Sequence, residues 1–145
     1  MARMNMMDFS ERAEELIQEW CVAKFEAKRG PNGKDSFLKR EAYRLLKQYI
    51  DADRQDIFLR AIEMTKRREE RQGRKGRRAP TSAIIDQPFK LGLYAMFSDD
   101  SLTRNKQKLW GNQMNLAYEN DVEPDDLIGF IYSKDMKSLD LIRLG

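Results

Sequence analysis

Between Lys66 and Arg78 lie eight basic side chains, six of them arginine, against two acids, Glu69 and Glu70. Arginine offers planar paired donors that match phosphate oxygens, and it stays charged at every relevant pH. Such a run captures polyanions; it makes and breaks no bonds. The candidates are Lys66, Arg67, Arg68, Arg71, Arg74, Lys75, Arg77 and Arg78. Arg60 joins them by helical arithmetic. Positions 60, 67, 71 and 74 differ by seven, four and three, and at about 100° per residue they share one helix face. Ile57, Phe58, Ala61, Ile62 and Thr65 fall roughly opposite, so this helix is expected to bury one side and present guanidinium groups on the other.

A second, weaker basic surface is expected from Lys39, Arg40, Arg44 and Lys47 on the preceding helical segment. It joins the first if the two segments form a hairpin across Asp51-Ala52-Asp53-Arg54. That arrangement approaches a helix-turn-helix. The central glycine of that motif is absent, and the charge sits at the C-terminal end of the second helix, whereas recognition helices read bases from their N-terminal part. Tyr43 and Tyr132 fall off the apolar stripes and are the aromatic residues left for stacking on bases.

Covalent chemistry finds little equipment. There is no histidine and a single cysteine, Cys21. That removes histidine-based triads, histidine general bases and ordinary zinc sites. The acidic groups Asp51/Asp53/Asp56, Asp99/Asp100 and Glu123/Asp125/Asp126 could in principle hold magnesium ions, with Lys106 or Lys134 assisting. Each lies where a helix is expected to begin, where carboxylates serve as caps. Cys21, between Trp20 and Val22, reads as buried and inert. Gly73-Arg74-Lys75-Gly76 lacks the spacing of a phosphate-binding loop. The expectation is a non-enzyme with no catalytic residue, no metal and no cofactor.

The 145 residues that must position these groups carry a net charge of only +3. Residues 1–65 balance 12 bases against 12 acids, and residues 79–145 carry 7 against 10. The positive charge is therefore local, which marks a patch and not a solubility device. Apolar spacings of three and four recur through 13–25, 38–50, 57–65, 109–118 and 127–131, with a dense apolar stretch over 91–97 that reads as a short buried helix. A last short helix is expected over Met136–Leu144. No segment alternates with period two. The fold class is all-α, a compact bundle of about five to seven helices with a basic linker near the middle. One helical domain over 1–145 is expected, with two lobes, 8–72 and 83–145 joined by linker 73–82, as the alternative. At 65–75 residues each lobe would be small for independent stability.

No apolar run approaches the roughly 18–20 residues of a membrane span, and no signal peptide is evident. A lone cysteine suits a reducing compartment, so a cytoplasmic location without membrane contact is expected. The function these features point to is non-enzymatic binding of DNA or RNA at the phosphate backbone, as an accessory subunit of a nucleic-acid machine. The alternative is a protein–protein adapter or inhibitor, of the accessory kind carried by phages or plasmids, acting on a nucleic-acid enzyme.

Overall fold

Phe9, Ala13 and Leu16 recur at steps of four and three, and all three are buried along α1 (Met6–Val22). The computed structural model describes residues 5–22, 33–73, 80–97 and 102–133. After α1 come α2 (Lys34–Asp51), α3 (Asp56–Arg71), α4 (Ser82–Ile85), α5 (Pro88–Met96) and α6 (Arg104–Glu119). A 3₁₀ turn, Pro124–Asp126, then leads into α7 (Leu127–Ser133). No strand occurs among the described residues, so the chain is all-α. The expected helix over 136–144 and the end of the first helix beyond Val22 lie outside the described residues.

Several helix ends are not made by the nearest acids. The Asp8 amide donates to Asn5 Oδ1 at 2.8 Å, so α1 starts ahead of Asp8 and Ser10. That start carries Met6 onto the core. Asp35 does not cap α2; Gly33 precedes that helix without a side-chain cap. Asp35 instead accepts from Trp20 Nε1 at 3.1 Å and from Lys106 Nζ at 3.0 Å, joining α1, α2 and α6. Thr103 caps α6 by accepting from the Lys106 amide at 3.2 Å, one step past the acidic cluster at 98–101, which lies outside the described residues. Asp51 ends a helix and does not begin one. Asp53 follows at φ 58°, a left-handed position that a short polar side chain tolerates. Gly73, at φ +74°, stands just past the end of α3.

The buried side chains run from Phe9 to Ile131 and form one cluster that includes both halves of the sequence. Phe9 sits against Tyr49 and Phe58, with ring centroids 5.4 and 5.2 Å apart. Tyr43 stacks on Phe89 at 5.4 Å. Fully burying each such apolar side chain contributes roughly 1.5–3 kcal/mol. The centre of the bundle is α5, buried continuously from residue 91 to 97 and packed on α1, α2, α3, α4 and α6. Gly92 permits a close approach to α2. A Cβ there would stand 2.5 Å from Leu46 Cδ2, so a larger residue would force the buried Leu46 side chain to shift.

This arrangement alters two expectations. The principal contacts of α2 and α3 are with α1 and α5 rather than with each other, so they form no helix hairpin. Cys21 is exposed. It lies five residues beyond Leu16, about 140° around the helix from that buried position, while the core stripe continues through the partly buried Trp20.

Candidate nucleic-acid interface

Helix α3 separates its two faces as its sequence requires. Ile57, Phe58, Ala61 and Ile62 are buried. Thr65, half-buried, returns its hydroxyl to the Ala61 carbonyl at 3.1 Å. On the other side the Arg60 and Arg67 side chains are 65% and 71% exposed. Each has a partner one turn back: Arg60 to Asp56 at 3.5 Å and Arg67 to Glu63 at 3.2 Å. Exposed pairs of this kind are worth about 0.3–0.5 kcal/mol, so an arriving phosphate displaces them at little cost. Arg68 and Arg71 are exposed and Lys66 is half-buried. Arg71 Nε donates to the Arg67 carbonyl at 3.4 Å, setting positive charge on the last turn, where the helix dipole favours it. Arg74, Lys75, Arg77 and Arg78 lie outside the described residues.

The arginine face borders a groove of about 760 Å³. Met6, Leu59, Ile62 and Ile85 supply its apolar surface. Arg60, Lys66, Arg67 and Arg71 stand along it, with Glu63 as the one carboxylate among the described residues. Leu59 is 41% and Ile85 43% exposed, so the apolar floor is open to a partner. No sequence signal marked these two residues, because α3 and α4 face one groove only in the folded chain.

On the other side of α4 lies a second concavity of about 290 Å³, bounded by α4, α5 and α6. Lys90, Arg104 and Lys108 line it, and among the described residues no carboxylate does. Arg104 and Lys108 are exposed, and neither forms an ion pair with a carboxylate among the described residues. Sequence reasoning passed over this cluster. Arg104 and Lys108 are one turn apart on α6, but Lys90 comes from α5 and joins them only through the α5–α6 contact.

The basic residues of α2 follow a different logic. Arg44 pairs with Glu41 at 3.3 Å and with Asp125, tying α2 to the 3₁₀ turn. Arg40 pairs with Glu41 at 2.9 Å, and Lys47 with Asp51 at 2.8 Å. Arg44 holds the Asp125 carboxyl below the usual carboxylate range, and Lys47 does the same for Asp51. Lys39 lies 5.2 Å from the centre of the Trp110 ring. Burial lowers its amine to about 8, against the opposing pull of Asp35. Among the described residues, only Arg44 of these four cations pairs with an acid outside α2, and none of them lines the groove beside α3. Tyr43, expected as a stacking residue, is fully buried, and its hydroxyl donates to the Val122 carbonyl at 2.7 Å. Tyr132 is half-buried against the core.

The acids gather elsewhere. Asp121, Glu123, Asp125 and Asp126 border a shallow concavity beside α7, on the segment that packs on α2 and α6. Among the described residues no group of three or more cysteines and carboxylates is arranged to hold a metal ion. No described helix is long and apolar enough to cross a membrane. No protein-family model, no curated protein and no solved structure matches this chain.

Proposed function

We propose that this protein binds nucleic acid at the phosphate backbone, without chemistry of its own, as an accessory component of a nucleic-acid machine. The observation that carries the reading is the shared wall of two cationic concavities. Ile85 of α4 lines the groove beside Arg60, Lys66, Arg67 and Arg71, and Ile84 lines the cavity of Lys90, Arg104 and Lys108. Seven cations thus flank one short helix, with Glu63 as the sole carboxylate lining either hollow among the described residues. A strand lying across α4 would meet positive charge on both sides. In sequence, the basic run from Arg74 to Arg78 lies between α3 and α4.

Titration of fluorescent single- and double-stranded DNA and RNA at several salt concentrations tests this. Affinity should fall linearly on logarithmic axes, with a slope of roughly 0.7–0.9 per phosphate contacted. Absence of binding at low salt sinks the reading. A second reading is supported by the apolar floor of the α3 groove, which suits an amphipathic acidic helix from a protein partner. It predicts tight, weakly salt-dependent binding of an acidic amphipathic peptide and little affinity for oligonucleotides.

A further inference from the structure

The cavity between α4, α5 and α6 differs in kind from the open groove beside α3. Its walls combine three cations with an apolar floor from Ile84 and Tyr94. At about 290 Å³ it stands at the small end of ligand pockets, which run from about 300 to 1,000 Å³. That is room for one nucleotide and not for a duplex. Gln107 adds a polar handle. It is buried, and its Nε2 donates to the Leu102 carbonyl at 2.8 Å. That bond uses the amide donor, and an amide oxygen is an acceptor suited to a ligand N–H.

We propose that this cavity takes a single nucleotide of a strand whose neighbouring phosphates lie along α3. The phosphate sits among Lys90, Arg104 and Lys108. The base lies on Ile84 and Tyr94, with an exocyclic amino group donating to Gln107 Oε1. Cations paired with an apolar floor and one acceptor match the three parts of a nucleotide: anion, flat ring and edge donor. A simple inorganic anion would use the first alone, and a fatty acid would leave the Gln107 acceptor unmet. The inference rests on the nucleic-acid reading for the strand, but its pocket stands on its own geometry.

The test is an amide NMR titration of the full chain with AMP, adenosine and inorganic phosphate, beside an oligonucleotide titration. AMP should shift the resonances of Ile84, Tyr94 and Lys108 saturably, and more strongly than adenosine or phosphate. Arg104→Glu/Lys108→Glu should abolish those shifts and weaken single-stranded binding by about tenfold or more. Arg67→Glu/Arg71→Glu should leave the AMP shifts intact, which shows that the pocket itself is folded. Equal shifts from phosphate and AMP overturn the nucleotide assignment. Oligonucleotide binding without AMP shifts overturns the pocket and leaves the α3 reading standing. AMP shifts without any oligonucleotide binding support the pocket and overturn the strand along α3.

Discussion

Gly111 of α6 lies directly against Lys90 of α5: a Cβ at position 111 would stand 2.5 Å from Lys90 Cγ and 3.4 Å from its Cα. The missing side chain leaves room for the Lys90 stem against α6, and Lys90 lines the cationic cavity. Gly111→Ala therefore sets two effects against each other. Helix propensity favours alanine by about 1 kcal/mol, and overpacking a close helix contact costs about 1–3 kcal/mol. Overpacking should win, and urea unfolding should show a net loss of about 1 kcal/mol. Gly129 on α7 supplies the contrast, since nothing lies within 4 Å of a Cβ built there. Gly129→Ala should gain up to about 1 kcal/mol. Stabilisation by both substitutions would show that α5 and α6 tolerate a wider spacing.

Tyr43 reaches Val122 across 79 positions of sequence, its hydroxyl donating to that carbonyl at 2.7 Å. Burial raises the Tyr43 hydroxyl well above the usual tyrosine value, so it stays a donor throughout the physiological range. Tyr43→Phe keeps the stack on Phe89 and strands the Val122 carbonyl. The expected cost is about 1–2 kcal/mol in thermal or urea unfolding. A neutral result would mean that water replaces the hydroxyl at that carbonyl.

The helices were legible where one face dominates. In α3 the buried positions 57, 58, 61 and 62 and the exposed arginines at 60, 67 and 71 stand where a period of 3.6 puts them. Tyr43 was misread because its neighbours Lys39, Arg40, Arg44 and Lys47 suggest a wet surface. Arg40, Arg44 and Lys47 meet acids supplied from both near and far in sequence, and Lys39 lies over Trp110. Cys21 was misread because a hydrophobic neighbourhood in sequence does not specify a helix azimuth. The cavity of Lys90, Arg104 and Lys108 was invisible for a different reason: its residues are isolated charges in apolar or neutral stretches, and only the docking of α5 on α6 assembles them.

Lys39 makes stability depend on pH in a direction opposite to most lysines that gain a partner. Burial lowers its amine from 10.5 to about 8, with nearby Lys106 pushing the same way and Asp35 opposing. The unfolded chain therefore holds the proton more tightly than the folded one between about pH 8 and 10.5. Unfolding free energy should rise with pH across that window, and no such contribution appears below it. The full shift corresponds to about 3 kcal/mol, reduced where solvent reaches the half-buried amine. Other groups titrate in the same range, Tyr43, Tyr49 and Tyr118 among them, and their raised values act in the opposite sense. The measurement is therefore a difference: urea unfolding of the unmodified protein minus Lys39→Met at pH 7, 8, 9 and 10. The gap should shift in favour of the lysine as pH rises. A constant gap would mean that Lys39 keeps an ordinary affinity for its proton.

Arg67 and Arg71 decide whether the basic character of α3 is a site or merely a field. Both are exposed, one turn apart, on the side of α3 away from Ile57, Phe58, Ala61 and Ile62. Arg67→Glu/Arg71→Glu removes one solvated pair, Arg67–Glu63, and the bond from Arg71 Nε to the Arg67 carbonyl. It also sets a carboxylate at position 67 one turn from Glu63, a like-charge contact worth a few tenths of a kcal/mol. Stability should therefore stay within about 1 kcal/mol of the unmodified protein. Binding should respond far more. Two lost phosphate contacts flatten the salt dependence by about 2 in slope. Lys134→Glu/Lys137→Glu changes the net charge by the same amount in the acidic half of the sequence, and it should leave that slope nearly unchanged. Equal losses from the two pairs would mean that charge acts only as a diffuse net field. Unfolding of the Arg67→Glu/Arg71→Glu protein would instead make those arginines structural, and the groove beside α3 would then be a packed surface and not a docking one.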